Sequence, residues 1–194
     1  MRIRNRMLPT LMVSALAGGQ ALGQESLVVT VDLPDTETWT LVTDKASGPA
    51  YSREWVPAGQ NAETAQWLIA QQKIPVDGGL SAVQFLEQLY EDMAGACTSA
   101  SHDDLDRHRI GDFRGAVGRT MCAQRRNEQF GAFSDQIVFV EDGFAYIVTS
   151  EIRIEPMVVA GVISFQTPGA ALSFRDRDEL SRNLVREGVR VERN

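Results

Sequence analysis

The sequence predicts an α+β domain: a mostly antiparallel sheet packed against a central helix over about residues 81–96 and a C-terminal helix over about 176–187. Three observations predict it. Leu80–Cys97 carries Ala82, Phe85, Leu86, Leu89, Met93 and Ala96 at three- and four-residue steps, the spacing of one apolar helix face. Phe133–Glu141 and Phe144–Arg153 are rich in Val, Ile, Phe and Tyr and flank Asp142-Gly143, a two-residue hairpin turn. Strand-like runs come in groups that helices interrupt, which is the α+β order.

The N-terminus reads as an export leader over residues 1–23. Arg2, Arg4 and Arg6 precede a short apolar run, Leu8–Gly18, too short to span a bilayer. Ala21 and Gly23 are the small residues that signal peptidase needs before Gln24. No cysteine stands in or just after this segment, so a lipid-modified cysteine anchor is excluded. Cleavage removes three arginines and no acid, taking the net charge from −7 to −10. Residues 24–194 then form a single domain, and no later stretch reads as a membrane helix.

Leu27–Leu33 is β-branched and reads as a strand that Pro34 ends. Thr38–Asp44 alternates, with Trp39, Leu41 and Thr43 on one side. Ala50–Val56 alternates too, with Tyr51, Arg53 and Trp55 together, and the two runs make a hairpin. Residues 61–73 favour a helix by propensity. Trp67-Leu68-Ile69 instead suggests a buried strand over about 66–72, after a turn, and that is the reading adopted. In the central helix Ser81 and Gln84 form a capping box, and Leu80 and Phe85 a hydrophobic staple. A polar loop follows Cys97. A weak strand over 106–110, a turn marked by Gly111-Asp112 and Gly115, and a strand over 116–123 come next. Residues 156–165 are apolar and β-branched. The last helix is capped by Asp176 and ended by Gly188, before a short strand at 189–191. Helix and sheet are expected as two layers, stapled by one disulfide.

Composition removes some functions. Lys45 and Lys73 are the only lysines, the chain is acidic, and no basic run exists. Nucleic acid and anionic membrane surfaces are therefore poor partners. The hydrophobic share of 43% is enough for a sizeable core. Cys97 and Cys122, the only cysteines of an exported chain, are expected to pair. G-x-S-x-G, S-x-x-K and the phosphate-loop patterns are missing, so no catalytic residue is assigned.

The densest polar cluster runs from His102 to His108 and includes Asp103, Asp104 and Asp106. Imidazole and carboxylate suit a divalent metal, so His102, Asp104, Asp106 and His108 are the candidate ligands, for a carrier or a metal-dependent hydrolase. A solvated loop is the competing reading, and no cofactor is otherwise expected. Trp39, Tyr51, Trp55 and Trp67 read as core before they read as a ligand platform. Arg107, Arg109, Arg114, Arg119, Arg125 and Arg126 read as a salt-bridged surface.

Arg53–Gln72, REWVPAGQNAETAQWLIAQQ, resembles small exported proteobacterial proteins in which a strand and a V-P-x-G-Q-like turn precede a Trp-led strand. A helix, two cysteines and a late hairpin follow, here Cys97, Cys122 and Phe133–Arg153. That order, over about residues 50–155, is similar to the PsbP-like α+β sandwich, which includes DcrB-like periplasmic lipoproteins. The resemblance implies assembly or partner binding and carries over no catalytic residue. The expected role is thus a soluble periplasmic protein that binds an unknown envelope partner through its sheet or loops, without enzymatic activity; a secreted effector or inhibitor acting outside the cell is the alternative.

Overall fold

The centre of the fold is built by the Asp142-Gly143 turn. In the computed structural model, which describes residues 27–126, 130–159, 162–166 and 173–193, Asp142 has φ 52° and Gly143 φ 75°. Two positive φ values in a row match the right-handed twist of the flanking strands. The turn joins β8 (Gly131–Glu141) to β9 (Phe144–Val159) in unbroken antiparallel register, from Glu141 opposite Phe144 to Gly131 opposite Ile154. The leader lies outside the described residues.

The sheet grows from that hairpin in both directions. On one side stand β4 (Trp67–Pro75), β3 (Ala50–Pro57) and β2 (Trp39–Ser47); on the other stands β7 (Phe113–Cys122), which pairs with both β5 (Ala100–His102) and β6 (Asp106–Ile110). β10 (Val162–Gln166) pairs with the end of β9. All pairings are antiparallel. β1 (Leu27–Val31) and β11 (Val189–Arg193) form a separate two-stranded ribbon.

Two helices cover opposite faces. α1 (Ala82–Ala96) begins with the expected capping box: Gln84 N–H donates to Ser81 Oγ at 3.3 Å, and Ser81 N–H to Gln84 Oε1 at 3.0 Å. Its Phe85 and Leu86 pack on Ala116, Val138, Ala145 and Ile147. α2 (Phe174–Glu187) places Val185 with the β1–β11 ribbon on Ile137, Phe139, Tyr146 and Val148, the residues of alternate parity. Successive strand residues face opposite ways, so the architecture has three layers, where the sequence suggested two.

Four further differences have physical reasons. Ser173, not Asp176, caps α2: Asp176 N–H donates to Ser173 Oγ at 3.2 Å, and the serine hydroxyl donates to the Asp176 carboxylate. Gly115 lies inside β7 rather than in a turn, because a Cβ there would meet Val138 O at 2.6 Å. The loop expected after Cys97 contains β5, held by Cys122, Met121 and Thr120 of β7. A bulge after Leu41 breaks the alternation of β2: Leu41 opposes Trp55 while Thr43 opposes Glu54, so the two fall on different faces. The strand reading of residues 66–72 agrees with β4. Cys97, at the end of α1, and Cys122, at the end of β7, have their sulfurs 2.07 Å apart.

Candidate functional site

Two places among the described residues are candidates: a buried polar network beneath α2 and the edge of the sheet at β2. Beneath α2, Arg119 of β7 and Asp135 of β8 are cross-strand neighbours on the face that α2 covers. Arg119 donates to Asp135 through Nε at 2.7 Å and Nη2 at 2.6 Å, and through Nη1 to Asp178 at 2.6 Å. The pair is 9% and 5% exposed, so few waters screen it. Burial alone would lower the Arg119 pKa; Asp135 and Asp178 more than reverse that and hold it above its ordinary value.

Hydroxyls complete the network. Ser181 of α2 donates to Asp135 Oδ2 at 2.5 Å and lies 2.8 Å from Ser150 of β9. Trp67 donates its indole N–H to Ser150 Oγ at 2.8 Å. A hydroxyl has one proton. With the Ser181 proton on Asp135, Ser150 must donate to Ser181. The indole, both serines and the arginine all point toward one carboxylate. Its bonding capacity is turned inward, which makes it a lock between α2 and the sheet rather than reactive machinery.

The four expected metal ligands are not brought together. His102 ends β5, packs edge-on against Tyr90 of α1 with ring centroids 4.0 Å apart, and holds Nδ1 2.8 Å from Asp103 O. His108 lies on β6 with Nε2 3.0 Å from the Arg186 carbonyl, in the last turn of α2; that nitrogen donates, so it has no lone pair for a metal. Asp106 binds Arg186 Nη2 at 3.0 Å. Asp106 and His108 do share one side of β6, but both engage Arg186. Asp104 is exposed in the connector between β5 and β6. Among the described residues no three His, Cys, Asp or Glu side chains are placed to hold a metal ion. A cavity of about 260 Å³ opens between that connector and α2, lined by Asp104, Asp106, Arg182 and Arg186 and floored by Arg119 and Asp135.

The second place is β2. Among the described residues it pairs with β3 alone, so its outer row of backbone N–H and C=O groups has no strand partner there. Leu41 is 45% and Val42 36% exposed; with Val28 they are the large apolar side chains left exposed among the described residues. Leu41 opposes Trp55, and Trp39 opposes Pro57, so an apolar margin borders the free edge. Asp44 and Lys45 follow, with Arg53 donating to Asp44 at 3.3 Å. Of the four aromatic residues singled out from sequence, Trp67 is fully buried; Trp39, Tyr51 and Trp55 are half-buried. Sequence reasoning treated β2 as one arm of a hairpin and left its free edge unread. Which strand ends a sheet depends on distant pairings that no local pattern states.

No protein-family model and no curated protein matches the chain. Among solved structures it is similar to the cyanobacterial PsbP (CyanoP) from Synechocystis, at 10% identity and a TM-score of 0.49, over 91% of this chain and 99% of that one. It is also similar to LpqN, a protein involved in cell envelope biogenesis of Mycobacterium tuberculosis, at 10% identity and a TM-score of 0.41, over 88% and 87%.

Proposed function

We propose that the chain is a partner-binding protein of the cell envelope, without enzymatic activity, which takes an extended segment of its partner onto the free edge of β2. The observation that carries this reading is the coincidence of an edge unpaired among the described residues with exposed Leu41 and Val42. Strand addition draws affinity from main-chain hydrogen bonds and selectivity from alternate side chains. β2 offers the first along its outer row and the second at Leu41 and Trp55. The bulge and the Asp44-Lys45 pair guard the far half of the strand against unspecific pairing. The envelope location is supported by the leader-like N-terminus and by a disulfide, which persists in oxidising compartments.

The test is site-specific photo-cross-linking in the native cell. A photoreactive residue at position 42 is expected to give a discrete cross-linked species in the envelope fraction, and Leu41→Lys is expected to abolish it. The same residue at position 104, near the opposite edge, serves as the control. Cross-links from position 104 with none from position 42 would overturn the reading, as would recovery of the protein from the cytoplasm alone.

A further inference from the structure

We propose that the partner segment docks only on residues 39–42, the part of β2 up to its bulge, through a short apolar–hydroxyl–apolar core. The inference rests on the strand-addition reading above and names what that edge selects. It follows from which backbone groups of β2 point outward.

Two anchors fix that direction independently. Ala58 N–H donates to the Thr38 carbonyl at 2.7 Å, so Thr38 turns its backbone groups toward β3. An antiparallel ladder alternates residues that bond the neighbouring strand with residues that face away from it. Thr40 therefore faces β3, while Trp39 and Leu41 turn N–H and C=O to the outer edge. At the other end, Ser47 opposes Ala50 across Gly48-Pro49, and Gly48 has φ 59°, the positive value that a two-residue hairpin turn needs at its first central residue. Residues that flank such a turn bond each other, so Ser47 faces β3. Counting back by twos, Lys45 and Thr43 face β3, and Ala46 and Asp44 face outward. Outward residues are thus two apart from Trp39 to Leu41 and three apart from Leu41 to Asp44. The extra residue is Val42, where the register shifts between Leu41 and Thr43.

A regular strand presents its bonding groups at every second residue. One laid in register with Trp39 and Leu41 is out of register at Asp44. It keeps two hydrogen-bonded pairs, over roughly 7 Å of strand. Side chains then set the chemistry. Trp39 shares its face with Pro57, and Leu41 with Trp55. The partner residues opposite Trp39 and Leu41 lie on that apolar margin and are themselves apolar. The residue between them lies beside exposed Thr40 and suits a hydroxyl.

The test extends the cross-linking above. Proline lacks an N–H and is accepted on an edge strand where that group faces outward. With the photoreactive residue at position 42, Leu41→Pro is expected to cut the cross-linked species roughly tenfold, as for the loss of one donor. Asp44→Pro is expected to leave it unchanged, and a photoreactive residue at position 46 to give none. Circular dichroism checks that each variant folds. Should a proline variant fail to fold, deletion of Val42 decides. It keeps every β2–β3 pair and brings Leu41 and Asp44 to two-residue spacing, so position 46 is then expected to cross-link. Mass spectrometry of the cross-linked partner is expected to find the apolar–Ser/Thr–apolar core. Loss of the species in folded Asp44→Pro, a cross-link from position 46 as strong as from 42, silence at 46 after the deletion, or a charged core overturns this inference and leaves the β2 reading standing. Silence at both positions in the parent chain overturns the reading and this inference with it.

Discussion

Ser181 Oγ lies 2.8 Å from Ser150 Oγ, which joins α2 to the middle of the sheet through a hydroxyl pair that is fully buried. Ser181 also donates to Asp135, so its loss leaves both an acceptor and a donor short. Ser181→Ala is expected to cost about 1–3 kcal/mol, the range for stranding buried partners. Asp135→Ala strands the Arg119 guanidinium as well and is expected to cost roughly 3–5 kcal/mol, as for breaking a buried ion pair. Urea unfolding midpoints check both. Equal losses for the two variants would show that Arg119 finds sufficient compensation in Asp178.

The disulfide closes a loop with a sequence separation of 25. On the chain-entropy account such a loop stabilises the fold by about 3–4 kcal/mol. Both cysteines are 3% exposed, so reductant reaches them slowly in the native state. A double Cys97→Ser, Cys122→Ser variant is expected to unfold at markedly lower urea and to lose protection from hydrogen exchange first at the end of α1. A variant as stable as the parent would show that α1 docks unaided.

Two tyrosines set an alkaline limit. Burial raises the pKa of Tyr51, opposed by the Gln71 hydrogen bond and by Arg53. Burial also raises that of Tyr146, helped by Asp142 and Glu141. Raised values in the folded state mean that the unfolded chain loses these protons first. The stabilisation is therefore complete below the ordinary value of 10.0 and is lost as pH rises through the higher folded values. Unfolding free energy is expected to fall above about pH 10, and Tyr146→Phe is expected to lessen the slope. A slope unchanged in Tyr146→Phe would remove that residue from the account.

Local signals were the legible ones. The Asp142-Gly143 turn, the Ser81–Gln84 box and the apolar stripe of α1 each lie within a few residues, where chain chemistry decides the outcome. The pairing of Val29 with Val191 joins opposite ends of the chain, and neither strand names its mate. The same holds for the network beneath α2. A carboxylate between Phe133 and Ile137, on their side of β8, is a visible sign that something must meet it. That Arg119 and Ser181 do so depends on register and helix placement. His102 and His108 stand out in the sequence because both fall in one short polar run. They sit on different strands, one packed on α1 and one turned to α2.

The two helix caps offer a direct comparison. Ser81 accepts from Gln84 N–H, and Ser173 accepts from Asp176 N–H, each satisfying a donor that the helix itself leaves free. Ser81→Ala and Ser173→Ala are each expected to cost about 1 kcal/mol. Asp176 sits in the first turn of α2, where a negative charge meets the positive end of the helix dipole, so Asp176→Ala is expected to cost about 0.3–1 kcal/mol. High salt should shrink the Asp176→Ala loss and leave the serine losses nearly unchanged, since screening acts on the charge more than on a neutral hydrogen bond. Denaturant titrations at low and high ionic strength separate the two. A loss at Asp176 that exceeds the loss at Ser173 and ignores salt would return the cap to position 176.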